Sequence, residues 1–213
     1  MNTYDSEQEQ LEALQKWWKE NGRAVISGVA LGAVAIIGWS SWQVYTTQQA
    51  EKASLHYDRL LASAKDSLYE QTIEQGNFFV EELPTSGYAA LAALITAKAA
   101  FRQNDMEKAK KYLQLAIDQK KSEAVQRVAR LRLARLLTDE KKWDDAMALL
   151  DGDAGEFANL YEEARGDIFL ARGNWDEARS AYERVLAGGK SQVRVRMKLD
   201  DLGSGDTLRD VHD

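Results

Sequence analysis

The side chains that most often perform catalysis or hold a metal are scarce in this chain. It has two histidines, His56 and His212, and no cysteine. A thiol nucleophile, a zinc finger and a disulfide framework are therefore excluded, and neither histidine has convincing partners for a hydrolytic triad. Gly189-Lys190-Ser191 matches the end of a phosphate-binding loop, but Arg184 stands where the earlier glycine is required and the preceding pattern is helical. Asp151, Asp153 and Glu156 lack the spacing of a calcium loop and read as a solvated turn. The adjacent acids Asp144/Asp145, Glu162/Glu163 and Asp200/Asp201 point about 100° apart on a helix, so no pair can flank one substrate atom. We therefore expect no catalytic residue, no metal site and no cofactor. More suggestive is the run Arg127, Arg130, Arg132, Arg135, set among Val128, Leu131, Leu133, Ala134 and Leu136. These guanidinium groups either pair with neighbouring acids or meet an acidic protein partner.

Positioning such residues requires a scaffold, and composition bounds it. Of 213 residues, 45% are apolar and 29% charged, with a net charge of -6 and a single proline. The chain can bury a core, can run in long helices, and lacks the net basic character of a dedicated nucleic-acid binder. Its mean hydropathy of -0.48 conceals one apolar block. Residues 24–50 carry no charge, and 24–39 are almost entirely Ala, Val, Ile, Leu and Gly. At a rise of about 1.5 Å per residue, Trp18 to Trp39 covers roughly 31 Å, the thickness of a bilayer core. Trp17 and Trp18 would mark one interface and Trp39, Trp42 and Tyr45 the other. Lys16, Lys19 and Arg23 precede the span and Lys52 alone follows closely, which predicts a cytoplasmic N-terminus. The long acidic lead and the bulky exit argue for a retained anchor over a cleaved signal peptide. Gly28 and Gly32 form a small-xxx-small pair that either lets another helix approach or is merely permissive.

The remainder reads as all-α, with three copies of one pattern: Asn104-Asp105-Met106-Glu107-Lys108-Ala109, Lys141-Lys142-Trp143-Asp144-Asp145-Ala146 and Gly173-Asn174-Trp175-Asp176-Glu177-Ala178. The alanines lie 37 and 32 residues apart. Twelve residues before each stands Ala97, Ala134 or Gly166, and four after each stands Leu113, Leu150 or Tyr182. Such spacing resembles tetratricopeptide repeats, antiparallel helix pairs of about 34 residues. Small residues let the two helices cross closely. Asp105 or Asn104 with Glu107, and Asn174 with Glu177, are expected caps, whereas Lys142 and Asp145 cap the middle copy poorly. Trp143 and Trp175 are read as packing residues. Ala53, Tyr57, Leu60, Leu61 and Ala64, then Leu68, Thr72, Phe79 and Leu83 before Pro84, define a degenerate first hairpin. Val193, Val195, Met197, Leu199 and Leu202 form a terminal capping helix, although their alternation also permits a strand. Residues 203–213 read as a disordered tail.

The N-terminal block Glu9-Gln10-Leu11-Glu12-Ala13-Leu14, the Trp17-Trp18-Lys19-Glu20-Asn21-Gly22 junction, the span glycines Gly28, Gly32 and Gly38 with Trp39, and the terminal Met197-Lys198-Leu199-Asp200-Asp201-Leu202 together resemble the YfgM-like ancillary subunits of the SecYEG translocon. The resemblance implies an N-terminal single transmembrane helix followed by a tetratricopeptide-like helical-hairpin solenoid: a cytoplasmic segment 1–23, a span 24–45 and a periplasmic domain 46–202, in a bacterial inner membrane. It implies no catalytic residues and no cofactor. Its partners would be the SecYEG translocon, a PpiD-like periplasmic chaperone and secretory client chains, with stress-response regulation through the cytoplasmic segment or an architectural homo-oligomer as alternatives. With the usual facing of such repeats, Leu94, Lys98, Phe101, Arg102, Arg135, Thr138, Asp167 and Leu170 point into a partner-binding groove.

Overall fold

A computed structural model of the chain describes residues 3–119, 122–188 and 193–209, with side chains from residue 10 to residue 203 within those ranges. The chain divides into two units, Met1–Lys52 and Ala53–Asp213. The described residues are helical apart from short turns, and one helix, α1 (Thr3–Lys65), contributes to both units.

Among the described residues, the first unit is a single helix whose large apolar side chains are exposed. Ile26, Val29, Leu31, Val34, Ile36 and Ile37 point in every direction around α1, each between 60% and 71% exposed. A helix apolar on all faces needs an apolar medium around it, and this one is long and apolar enough to cross a membrane. Gly22 lies under the Trp18 indole, where a Cβ would come within 3.3 Å, whereas added Cβ atoms at Gly28 and Gly32 would meet nothing within 4 Å. The small-residue face is thus open.

The second unit is a stack of four hairpins. The end of α1 pairs with α2 (Tyr69–Glu81), α3 (Ala89–Arg102) with α4 (Met106–Asp118), α5 (Glu123–Asp139) with α6 (Trp143–Leu149), and α7 (Ala158–Arg172) with α8 (Trp175–Ala187); α9 (Val193–Arg209) follows. All four hairpins turn in the same way. Ser67, Asn104, Lys141 and Gly173 adopt left-handed φ of 59°, 63°, 62° and 86°. The next residue's N–H then donates to the carbonyl five positions back: Leu68 to Ser63, Asp105 to Ala100, Lys142 to Leu137 and Asn174 to Phe169, each at 2.9 Å. This is the Schellman closure of a helix C-terminus.

Counting from that turn aligns the crossings. Ala97 and Ala109, Ala134 and Ala146, and Gly166 and Ala178 stand at the same offsets on either side of their turns, all buried, and the same offsets in the first hairpin fall on buried Leu60 and Thr72. The degenerate hairpin is therefore in register with the other three. Its own close approach is elsewhere, at Gly76, where an added Cβ would lie 1.9 Å from the Thr96 hydroxyl oxygen of α3. Tyr57, Phe79 and Tyr88 seal this end, with Tyr57 stacked on Tyr88 at 4.8 Å and edge-on to Phe79 at 6.3 Å.

Two expectations about local structure change, and the terminal capping helix stands as read. Asp105 caps α4 by accepting from the Lys108 N–H at 3.0 Å, but the Asn174 side chain makes no capping bond to α8. The terminal alternation is helical, not extended: Val195 and Leu202, seven residues apart, are buried while Val193 and Met197 face solvent. That helix also runs on through Arg209 where a disordered tail is expected from residue 203, because an already nucleated helix gains one hydrogen bond per added residue. Residues 210–213 of that tail lie outside the described residues.

Only one of the four left-handed positions is glycine. Lysine pays a steric penalty there that glycine avoids. Lys141→Gly is expected to stabilise the chain by up to about 1 kcal/mol and to raise its thermal midpoint by about 2–4 °C, measured by circular dichroism of the full chain in detergent.

Candidate functional site

Two first helices of successive hairpins build the most developed concavity. Lys98, Phe101 and Arg102 share one face of α3, and Arg132, Arg135, Leu136 and Asp139 share one face of α5, since three- and four-residue steps keep side chains on one side of a helix. These residues line a cavity of about 520 Å³ whose apolar base is completed by Ala97, Ala109 and Leu113. A second cavity of about 450 Å³ adjoins it, sharing Lys98 and Arg132 and floored by Tyr57, Leu61, Tyr69, Leu91, Leu94 and Ile95. The two form one groove with an apolar floor and a cationic rim.

Five of the eight residues expected in a partner-binding groove come together here: Leu94, Lys98, Phe101, Arg102 and Arg135. The other three lie elsewhere. The Thr138 hydroxyl donates to the Ala134 carbonyl of its own helix at 2.8 Å. Asp167 accepts from the Tyr182 hydroxyl at 2.7 Å and from Lys198 at 2.5 Å, and Leu170 packs in a cluster with Tyr182, Val195 and Leu202. Helix α9 covers both, so the last hairpin's share of the expected face is occupied by the chain itself. Conversely, the turn register supplies residues that sequence reasoning missed. The offsets that place Leu94, Lys98, Phe101 and Arg102 before Asn104 place Tyr57, Leu61, Ala64 and Lys65 before Ser67, and all four line the groove.

The arginine run divides in two. Arg127 pairs with Glu123 at 2.9 Å and with Asp153 at 2.6 Å, tying α5 to the 151–155 turn. Asp153 is in turn held by the Gly155 N–H at 2.9 Å, and that bond, followed by Arg127, lowers its carboxyl pKa. The acidic turn is therefore anchored rather than free. Arg130, Arg132 and Arg135 have no ion pair among the described residues, and neither do Lys98 and Arg102. Several cations elsewhere are matched: Arg172 to Asp144 at 3.0 Å, Arg184 to Glu162 at 2.9 Å, Lys110 to Glu140 at 2.6 Å. The groove walls strip water from the Arg132 guanidinium and Arg135 adds like charge, so its pKa falls below the ordinary arginine value.

Trp143 packs with Ala146, Leu150, Tyr161 and Ile168, and Trp175 with Tyr182, Val195 and Leu202, so both tryptophans serve the stack. His56 stacks on Phe78 with ring centroids 3.8 Å apart, and His212 and the Gly189-Lys190-Ser191 motif lie outside the described residues. Among the described residues no group of three His, Cys, Asp or Glu side chains could hold a metal ion.

Residues 15–204 match the family described as a tetratricopeptide repeat-like domain. The ancillary SecYEG translocon subunit of Escherichia coli K12 is 34% identical over 95% of this chain and 99% of its own length. The Haemophilus influenzae Rd protein of the same name is 31% identical over 92% of this chain and 97% of its own length. That of Neisseria gonorrhoeae is 26% identical over 95% and 100%. With the span and the hairpin stack both inside these alignments, the chain belongs to the family of ancillary SecYEG translocon subunits, whose tetratricopeptide repeat-like domain it carries.

Proposed function

We propose that this protein is a non-catalytic, membrane-anchored adaptor of the SecYEG translocon that passes secreted proteins to a periplasmic chaperone of the PpiD kind. The observation that supports this most is that similarity to relatives named for the translocon runs through the apolar helix and the hairpins alike. Residues 24–45 cross the inner membrane, residues 1–23 lie in the cytoplasm and the hairpins from residue 46 lie in the periplasm, following the excess of Lys16, Lys19 and Arg23 over Lys52. Trp17 and Trp18 at one interface, and Trp39 and Trp42 at the other, anchor the span. Tethering raises the effective concentration of the groove beside an emerging chain without any new contact.

Protease added to intact spheroplasts is expected to digest the hairpin unit and to spare the N-terminal segment. A photocrosslinking side chain at Trp42 or Tyr45 should capture a SecYEG subunit in intact cells. Protection of the hairpins until lysis would overturn the topology, and crosslinks that never include SecYEG would overturn the adaptor role.

A further inference from the structure

The groove between α3 and α5 gathers four cations that have no ion pair among the described residues, whereas the last step of the stack pairs its charges. At the last step, α7 presents Glu163 and Asp167, and α9 answers with Arg194 and Lys198 at 2.5 to 2.9 Å. At the α3–α5 step the corresponding charges are alike: Lys98 and Arg102 on one helix, Arg132 and Arg135 on the other, around a single carboxylate, Asp139. Like charges on facing elements cost stability unless a counter-anion is supplied. The chain as a whole carries -6, so this clustering of unpaired cations runs against its overall charge.

We propose that the groove takes an acidic, amphipathic polypeptide segment: its apolar side chains seat on Leu61, Leu91, Leu94 and Phe101, and its carboxylates bridge Lys98 and Arg102 to Arg132 and Arg135. Two features select a peptide over an anionic lipid surface. The cations rim a concavity that a flat headgroup layer cannot fill, and the floor offers separate apolar depressions, one on each side of Lys98 and Arg132, suited to alternate side chains. Arginine forks match carboxylate geometry in pairs. This inference rests on the adaptor reading, for which it names the chemistry of the segment bound.

The test uses the full chain in neutral detergent micelles with a fluorescein-labelled Leu/Glu amphipathic peptide, its Glu→Gln twin and its Glu→Lys twin. The acidic peptide should bind in a salt-sensitive way, and both twins about tenfold or more weakly. The double variant Arg132→Gln/Arg135→Gln should lose about tenfold in affinity for the acidic peptide with an unchanged circular dichroism spectrum. If that variant misfolds, Lys98→Gln/Arg102→Gln, altering two exposed side chains, gives the same reading. Equal binding of the three peptides, or undiminished binding by a folded variant, overturns the proposal. Cation-dependent flotation with phosphatidylglycerol vesicles and no acidic-peptide binding also overturns it, in favour of a lipid contact. SecYEG copurification should survive these substitutions; its absence from the unmodified chain would instead sink the adaptor reading and leave the peptide result standing.

Discussion

Replacing Gly166 by alanine is expected to destabilise the hairpin stack by about 2–3 kcal/mol, within the range for forcing extra atoms into a packed core. An alanine Cβ at this position would lie 2.4 Å from Tyr182 Cε1 and 2.7 Å from Cδ1. The ring cannot yield, because Tyr182 is fully buried and its hydroxyl is fixed on Asp167 at 2.7 Å. The other repeats show what relieves the clash. Where the earlier position is alanine, as at Ala97 and Ala134, the later one is leucine, at Leu113 and Leu150. Adding Tyr182→Leu to Gly166→Ala should therefore recover much of the loss, although Tyr182→Leu alone costs stability by leaving a void and releasing Asp167. Urea unfolding of the full chain in detergent, followed by circular dichroism, gives the four corners of the cycle. Strictly additive effects would show that the two positions do not share one space.

The same size exchange explains which parts of the fold are legible in the sequence. Hairpins two to four announce themselves because a small residue, an alanine and a large apolar residue recur at fixed offsets, and the structure buries all of them. The first hairpin hides because its sizes are permuted to Leu60, Thr72 and Gly76, and because its turn uses Ser67 where a left-handed backbone favours glycine. Capping is less legible. Asp105 and Asn174 have nearly the same backbone angles, φ of -91° and -88° with ψ of 81° and 77°, yet only Asp105 accepts a capping bond. Residue type fixes the opportunity, and the side-chain rotamer decides its use.

Partner-facing positions follow a similar logic. A repeat register says which side of each first helix faces the concave surface, and Leu94, Lys98, Phe101, Arg102 and Arg135, which it groups, line the two adjoining cavities. It does not say where the solenoid stops. Asp167 and Leu170 occupy the same register positions as Lys98 and Phe101, but the chain supplies its own covering helix there. Nor does periodicity reveal that Arg127 is paired while Arg132 and Arg135 are not, since the partners of Arg127 include Asp153, twenty-six residues away in sequence. Ion pairing across a turn is a property of the folded chain alone.

Substituting Glu163 by alanine is expected to cost about 3 kcal/mol and to undock α9, the lower part of the range for breaking a buried ion pair. Glu163 is 1% exposed. It accepts from Arg194 at 2.8 and 2.7 Å and from Lys198 at 2.9 Å, and Lys198 also reaches Asp167. The lower part applies because the cations left behind can rehydrate, Arg194 being two-thirds exposed at its side chain. Burial alone would raise the Glu163 pKa, but the hydrogen bonds and charges of Arg194 and Lys198 prevail and lower it. The folded state therefore holds this carboxylate ionised at a pH where the unfolded chain, with a glutamate pKa of about 4.3, begins to bind a proton. The resulting stabilisation is complete above that value and disappears as the pH falls through the depressed folded pKa. Unfolding free energies measured from pH 6 down to pH 3 should fall less steeply in Glu163→Ala and Glu163→Gln than in the parent. Amide hydrogen exchange at Val195 and Leu202 should accelerate in both. An unchanged acid slope, with α9 still protected, would mean that Val195 and Leu202 hold the terminal helix by apolar burial alone and that the charges contribute nothing to its docking.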